Sequence, residues 1–323
     1  MGEYANHSVV IHTVDTGSAV ALGGIGSTSA NPNNQTVSDQ GGQLHDTLRA
    51  LAKQEPTQEF STTSVATALA AVSPDGVCIN SDGTHPGVGV FFEQKQQCGG
   101  AVVGASDHAQ FLYDMGLLTP QTLSASGRDA DVTLSMMVDA LTDGTNEPVQ
   151  RDWAATLPTG VDTSQFVLGA AKCRNLLLTD IRSLNIDFGI EKTEKRPQLG
   201  GVWPETVGVL KARPSATLTA KEIKYLRDTT TSDDASRYPM NGDVAEHADT
   251  IFYFKKRKNR AAFEDDAETV HFSITMAGLL VPENLFNASG TATGDSSWKI
   301  ETVNDGTNNP LIVTTDIAYN PAP

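Results

Sequence analysis

The chain repeats one of its own segments. Residues 116–127 read GLLTPQTLSASG, and residues 278–290 read GLLVPENLFNASG with one inserted residue. A similar turn follows each segment, DGTNEP from Asp143 and DGTNNP from Asp305, and both landmarks are displaced by 162 residues. A preference of turns for Asp-Gly explains a recurring turn but not this ordered set. Because 162 is close to half of 323, the repeat predicts two copies of one domain-sized unit.

Two further landmarks follow the same order. Phe92 matches Phe254 at the shift of 162, and Pro56 matches Pro214 at a shift of 158. We therefore expect a first copy at 1–162 and a second copy at 163–323.

The start of each copy predicts an unequal segment. Leu22-Gly23-Gly24 matches Leu199-Gly200-Gly201 at a shift of 177, so the first copy should carry 19 extra residues, an insertion near 26–55. Leu44, Leu48 and Leu51 give this insertion a helical spacing.

Alternation of apolar and polar residues dominates and predicts half-buried strands. Examples are 132–138, 184–190 and 270–276, with further candidates at 250–255 and 311–318. We expect one helix in each copy, starting in the second at Thr219, where Glu222 completes a capping box, and in the first near Ser61, through Val65 and Leu69. The polar stretch 228–249 should be an exposed loop. The predicted fold class is mainly β, a β-rich α+β sandwich or barrel unit with one packed helix, present twice.

Composition favours a soluble globular protein, with 39% hydrophobic and 19% charged residues. The chain has no apolar run long enough for a bilayer, and its first residues lack the pattern of a signal peptide. We therefore expect assembly in a cytoplasm and no membrane partner. A net charge of −16 argues against a surface that grips nucleic acid or anionic lipid.

The three cysteines, Cys78, Cys98 and Cys173, have no metal-type spacing and form an odd set. We expect buried free thiols, no disulfide framework, no metal site and no cofactor.

Catalytic motifs are absent, so we do not expect an enzyme. The Gly-rich run from Leu22 lacks the lysine of a phosphate-binding loop. Ser106, Asp107 and His108 are consecutive, which does not place nucleophile, base and orienting group in a triad, and Ser106 is interpreted as a helix N-cap. His108 and His271 lie near matched positions of the two copies, which favours a shared structural role.

A basic cluster stands out against the acidic composition. It consists of Lys255, Lys256, Arg257, Lys258 and Arg260. The acidic residues Glu264, Asp265, Asp266 and Glu268 follow it. One interpretation is a solvated hairpin whose two arms neutralise each other. The other, which we prefer as a hypothesis, is that these five cations contact an acidic surface on a neighbouring copy of the protein.

Residues 184–226 resemble the tail tube proteins of long-tailed bacteriophages. This segment, LNIDFGIEKTEKRPQLGGVWPETVGVLKARPSATLTAKEIKYL, reads as a strand, a charged hairpin around Gly-Gly, further strands and a capped helix. The resemblance implies two tandem tail-tube-like domains in a structural virion protein, assembled in the host cytoplasm and located in the virion tail.

The resemblance also implies partners. Three chains would form a pseudo-hexameric ring, the rings would stack into a hollow tube, and other tail proteins would bind the tube ends. DNA would pass through the lumen without specific binding. We expect an acidic inner wall, because phosphate contacts from Lys and Arg would hold the duplex.

Two other functions remain open. The chain could be another virion component, such as a capsid decoration or baseplate protein, or it could be a β-sandwich module that binds glycans. Exposed aromatic platforms would favour the glycan-binding module.

Overall fold

The computed structural model describes residues 3–13, 19–39, 48–81, 87–95, 107–127, 130–173, 176–193, 195–197, 201–221, 248–287, 295–304 and 309–321. The protein is mainly β, with one helix in this part of the chain, which confirms the predicted fold class.

The described part of the first half contains twelve strands and one helix. In chain order they are β1 (Glu3–His12), β2 (Ala19–Leu22), β3 (Ile25–Asn31), β4 (Asn34–Asp39), β5 (Leu48–Gln54), β6 (Thr57–Thr62), α1 (Val65–Ala71), β7 (Val77–Asn80), β8 (Val88–Lys95), β9 (His108–Tyr113), β10 (Met115–Ser126), β11 (Thr133–Leu141) and β12 (Gln150–Ala155).

The second half contains thirteen described strands. They are β13 (Phe166–Cys173), β14 (Leu176–Leu178), β15 (Ile181–Asp187), β16 (Ile190–Lys192), β17 (Arg196–Pro197), β18 (Pro204–Thr206), β19 (Val209–Ala212), β20 (Ser215–Ala220), β21 (Ala248–Asn259), β22 (Ala262–Phe263), β23 (His271–Asn287), β24 (Asp295–Thr302) and β25 (Leu311–Ile317).

The two halves use the same order of strands. Four neighbouring strands of the first half, β3-β6-β11-β10, are followed in one sheet by β15-β20-β24-β23 of the second half. We call these eight strands the shared sheet. The flanking strands also correspond, since β1 pairs with β2 and β8 just as β13 pairs with β14 and β21.

The registers agree as well. Asn31 lies opposite Thr57 in the first half, and Asp187 lies opposite Ser215 in the second. Two residues farther along, Asn33 and Gly189 both have a left-handed backbone, with φ of 45° and 57°. Each donates its N–H to the side-chain Oδ1 of the residue two before it, at 3.0 and 2.9 Å. This is an Asx-type turn, which starts the same hairpin in both halves.

The core lies between the shared sheet and the flanking strands. A single cluster of buried side chains includes Val9 and Val88 from flanking strands and Phe60 and Leu134 from the shared sheet. Period-two alternation places these side chains on one face of each strand, so the two layers bury their apolar faces together. Burial of a side chain of this size stabilises the fold by about 1.5–3 kcal/mol.

The strands predicted from alternation are confirmed. β11, β15, β21, β23 and β25 cover most of the five predicted segments. The shared sheet crosses the proposed boundary at residue 162, so the division into domains at 1–162 and 163–323 stays a prediction.

The predicted insertion near 26–55 is wrong. Its residues form β3, β4 and β5, which correspond to β15, β16 and β19 of the second half. The match of Gly23-Gly24 with Gly200-Gly201 was misleading. Residue 25 pairs with residue 62 in the first half, and residue 181 pairs with residue 220 in the second, so residue 25 corresponds to residue 181. Leu48 and Leu51 lie in β5 and not in a helix, while Leu44 lies outside the described residues.

The predicted helix starts also need correction. Thr219 lies in β20, whose burial alternates strictly along its six residues, and Glu222 is outside the described residues. In the first half α1 begins at Val65 with Ser64 as N-cap, whereas Ser61 is still in β6. Of the predicted loop 228–249, only Ala248 and Asp249 are described, and both are in β21.

Candidate self-assembly surface

Strand β10 joins the two halves. Its residues 122–126 pair antiparallel with residues 183–187 of β15. The ladder continues beyond the strand, since the N–H of Gly127 donates to the carbonyl of Arg182 at 2.6 Å. The shared sheet is therefore a head-to-tail arrangement of two equivalent four-strand units.

A proline bulge marks the point at which β10 changes partner. Residues 115–118 pair with β7, the register shifts between Pro120 and Thr122, and the following residues pair with β15. Proline has no N–H to donate and so suits a bulge in a ladder. β23 has the same irregularity between Pro282 and Asn284, so its last residues correspond to the part of β10 that pairs with β15.

Among the described residues, the end of β23 has no pairing equivalent to that of β10 with β15. In the described part of the chain, residues 279–287 pair only with β24, and β3, the counterpart of β15, pairs only with β6. β3 is also the terminal strand of its sheet. Unpaired strand edges carry rows of backbone donors and acceptors that favour pairing with another chain.

The edge strand β3 is held by buried side chains. The hydroxyl of Tyr113 donates to Oε1 of Gln58 at 2.8 Å, and Nε2 of Gln58 donates to the carbonyl of Ser29 at 3.2 Å. Burial raises the pKa of Tyr113 well above its ordinary value of 10.0, so its hydroxyl remains a donor. The β3 edge is thus fixed in place before any partner arrives.

A second contact between the halves is made by a hairpin of the second half. We call residues 190–212, which contain β16 to β19, the clasp. Nζ of Lys192 and Nζ of Lys195 lie 2.5 and 2.7 Å from the two carboxylate oxygens of Asp139 on β11. The Asp139 side chain is only 3% exposed, so two cations compensate for the burial of its charge.

The clasp also forms hydrogen bonds with the first half. The N–H of Thr142 donates to the carbonyl of Pro204 at 3.0 Å, and the N–H of Gln54 donates to the carbonyl of Val202 at 2.8 Å. Nε1 of Trp203 donates to Oε1 of Gln54 at 2.9 Å. Trp203 also lines a cleft of the first half, so the clasp combines ionic, polar and apolar contacts.

The face of the shared sheet opposite the core is polar. Its partly or fully exposed residues are mostly Ser and Thr, such as Ser124, Thr217 and Ser297. Carboxylates outnumber cations among its charged side chains, which include Glu59, Asp187, Glu283, Asp295 and Glu301 against Arg182 and Lys299. Each of these two cations lies near a carboxylate, Arg182 at 3.9 Å from Asp295 and Lys299 at 2.9 Å from Glu301.

The predicted contact cluster, Lys255, Lys256, Arg257, Lys258 and Arg260, lies on β21 and the turn into β22. Several of its cations are already engaged within the chain. Lys255 forms an ion pair with Asp266, and Lys258 lies 3.8 Å from Glu264. Nε of Arg257 donates to Asp131 at 2.7 Å. The pairs of Lys255 and Lys258 support the hairpin interpretation, whereas Arg257 contacts the first half, and a role of the five cations between copies stays a prediction.

Of the three consecutive residues weighed for catalysis, Asp107 and His108 are described. His108 is buried in β9, where its Nδ1 accepts the N–H of Gln94 at 3.1 Å, whereas Asp107 is exposed. Phe111 and Leu112 also lie in β9, while Ser106, interpreted as an N-cap, lies outside the described residues.

The described residues contain no group of three or more His, Cys, Asp or Glu side chains that could hold a metal ion. Cys78 is an exposed free cysteine, so the expectation of a buried thiol is wrong at this position, and Cys98 lies outside the described residues. In the same part of the chain, no helix is both long and apolar enough to cross a bilayer.

No protein-family model matches the chain, and a search of curated proteins finds no match.

Sequence reasoning missed the clasp and its anchor. The lysines of 190–212 are ordinary surface residues by composition, and Asp139 stands in an apolar strand without any motif around it. One available signal was the charge itself, since a lone carboxylate at the end of an alternating apolar strand requires a partner when it is buried.

Proposed function

We propose that the protein is a structural subunit that joins further copies of itself, edge to edge, into a closed ring of the kind that stacks into a bacteriophage tail tube. The observation that carries this proposal is the pairing of β10 with β15. The same two edges recur as the end of β23 and the outer edge of β3, at opposite ends of the shared sheet.

A head-to-tail contact either closes into a ring or continues as an open filament. The contact between the halves is already of this type, since β10, the last strand of one four-strand unit, pairs with β15, the first strand of the next. If β23 of one copy pairs with β3 of the next in the same way, closure removes every exposed edge of the shared sheet. By resemblance to tail tube proteins, we propose three copies in a ring, with six four-strand units in all.

The polar face of the shared sheet would line the lumen of such a ring. Its carboxylates outnumber its cations, and both of its named cations have acidic neighbours. A phosphate backbone is repelled by such a wall rather than held by it, because non-specific affinity for DNA depends on contacts from Lys and Arg. This charge supports a conduit through which DNA slides.

Cysteine cross-linking tests the proposed edge pairing directly. Within the chain, Ser124 of β10 lies opposite Asn185 of β15. The equivalent residues are Asn287 of β23 and Ser29 of β3, as their own partners on β24 and β6 establish. The double variant Ser29→Cys with Asn287→Cys should therefore form disulfides between copies.

The matched control is Ser124→Cys with Asn185→Cys, which should form the same disulfide within one chain. Both variants retain the native cysteines, and the single variants measure background. Oxidation of the Ser29 and Asn287 variant should link neighbouring copies covalently, and denaturing electrophoresis should show the linked species. Negative-stain microscopy should show hollow rings or rods. A variant that cross-links only to background, while the control oxidises fully, would refute the proposed pairing.

One observation favours a glycan-binding module as a second candidate. Trp153 is 60% exposed and Tyr4 is 46% exposed, and their rings lie 6.1 Å apart in an edge-to-face arrangement. Exposed aromatic rings form platforms for sugar stacking. Quenching of tryptophan fluorescence by glycans that is lost in Trp153→Ala, together with a monomer at all concentrations, would favour this module over the ring.

A further inference from the structure

Two equivalent acidic residues of the shared sheet have opposite surroundings. Asp139 and Glu301 occupy equivalent positions, because each packs its backbone carbonyl against the equivalent glycine. A Cβ on Gly116 would lie 2.3 Å from the carbonyl oxygen of Asp139, and a Cβ on Gly278 would lie 2.2 Å from that of Glu301. The Asp139 side chain is 3% exposed beneath the clasp, whereas the Glu301 side chain is 54% exposed. The same site is thus covered in one half and open in the other.

The open site is a cleft of about 720 Å³. Its lining is mixed, since Pro214, Val303 and Pro310 lie beside Glu301 together with the cations Lys211, Arg213 and Lys299. In the first half Pro56, the counterpart of Pro214, lines the cleft that receives Trp203 of the clasp. Val303 is 46% exposed, so the open cleft presents apolar surface to solvent.

The counterpart of the clasp is the hairpin formed by β4 and β5, residues 34–54, which we call the first hairpin. Both hairpins connect equivalent strands of the shared sheet, β3 to β6 and β15 to β20. Their registers also shift at the same step, between Gln35 and Thr36 in one and between Glu191 and Lys192 in the other. The first hairpin exposes Val37 and Leu51, at 56% and 42%.

We infer that the first hairpin of one copy binds the Glu301 cleft of the next copy. This inference rests on the proposed ring, because the clasp reaches Asp139 only through the pairing of β15 with β10. If β3 pairs with β23 of the next copy in the same way, the first hairpin reaches Glu301 of that copy. The occupant is therefore a second copy of this chain.

The contact differs in chemistry from the clasp. Thr36 stands at the position of Lys192, so the ion pair with the acidic residue is lost. Lys299 of the same chain lies 2.9 Å from Glu301 and neutralises it instead. Val37 and Leu51 should stay exposed in this contact, as their counterparts Thr193 and Val209 are on the clasp.

A zero-length cross-link tests this placement. The Thr36→Lys variant puts an amine at the position of Lys192, within reach of Glu301 of the next copy if the inference holds. Carbodiimide treatment should then join residues 36 and 301 between chains, identified by mass spectrometry of the digest. Lys192 and Asp139 provide the reference link within the chain, and Thr36→Arg, whose guanidinium does not react, is the matched control. Rings that form the reference link but not the 36–301 link would overturn the inference.

An assembly measurement gives an independent test. Thr36→Glu, which places a carboxylate opposite Glu301 of the next copy, should raise the protein concentration needed for half assembly by about tenfold or more. Leu210→Glu is the matched control, because Leu210 is 68% exposed on the clasp, which is already bound within its own chain. Light scattering after size exclusion measures both, and equal effects of the two variants would contradict the inference.

The two failures can be distinguished. Disulfides between Ser29→Cys and Asn287→Cys without any effect of the hairpin variants would leave the ring intact and remove only the hairpin contact. Absence of both the disulfides and the assembled species would remove the proposed function itself.

Discussion

His108 and His271 accept the same hydrogen bond in the two halves of the chain. The backbone N–H of Gln94 donates to Nδ1 of His108 at 3.1 Å, and the backbone N–H of Lys256 donates to Nδ1 of His271 at 3.0 Å. Because Nδ1 accepts, the ring proton of His271 lies on Nε2, which donates to the carbonyl of Asp265 at 3.0 Å. Each histidine thus satisfies a backbone donor of the strand beside it.

Replacement of His271 by alanine should therefore lower the free energy of unfolding by about 1–3 kcal/mol, the cost of leaving a buried donor without a partner. His271→Asn should lose less, since its Oδ1 can reach the position of Nδ1. Urea denaturation of both variants measures the difference. Equal losses would mean that the volume of the ring, and not its hydrogen bond, is what stabilises the strand.

The charge of Asp139 should matter far more than that of Glu301. Asp139→Asn leaves Lys192 and Lys195 without their partner in a covered site and should cost about 3–5 kcal/mol. Glu301→Gln removes an exposed pair and should cost about 0–1 kcal/mol. Denaturation of dilute protein compares the two, and similar losses would contradict the clasp as an anchored contact.

Gly116 and Gly278 should not tolerate a side chain. In each case a Cβ would lie less than 2.5 Å from a backbone carbonyl oxygen, which cannot move aside as a flexible side chain can. We expect Gly116→Ala and Gly278→Ala each to lose about 3 kcal/mol or more, at the upper end of overpacking costs. Gly208→Ala is the control, because its new Cβ would lie 3.7 Å from the nearest atom, Oγ1 of Thr193. A thermal melt of the three variants distinguishes them, and a control as unstable as the others would refute the explanation.

Asp162 should make stability depend on pH in the acid range. Burial raises its pKa, but hydrogen bonds from Ser164 and Thr67 lower it more, so the pKa lies below its ordinary value of 3.8. A depressed pKa contributes stability that is present above the unfolded value and is lost as the pH falls through the folded value.

At neutral pH, Asp162→Asn should therefore be less stable than the native protein by about 1.5 kcal/mol. The difference should shrink once the pH falls well below 3.8, where both side chains are uncharged. Denaturation curves at several pH values measure it. A difference that stays constant into the acid range would show that the charge of Asp162 contributes nothing.

Much of the strand structure could be predicted because alternation is a local signal. Leu134, Met136 and Val138 point to one face of β11 whatever surrounds them, and all three are buried. The repeat of the GLL segment likewise predicted corresponding strands, and β10 and β23 do share their proline bulge.

The errors arose where local patterns have two meanings. Thr219 to Glu222 matches a capping box, yet Thr219 lies in a strand because Ala216, Leu218 and Ala220 alternate into the core. The Gly-Gly pairs looked equivalent, although one follows β2 and the other belongs to the clasp. Turn glycines recur for many reasons, so they fix an alignment less well than a strand register does.

The sequence by itself determined that the protein is built mainly from half-buried strands and that one segment occurs twice, because period and repetition are visible without contacts. Only the tertiary structure decided that β10 pairs with β15, that the clasp covers Asp139 and that the equivalent Glu301 stays open. Such relationships depend on which distant strands share hydrogen bonds and which charges become buried together. Neither is encoded in the spacing of residues along the chain.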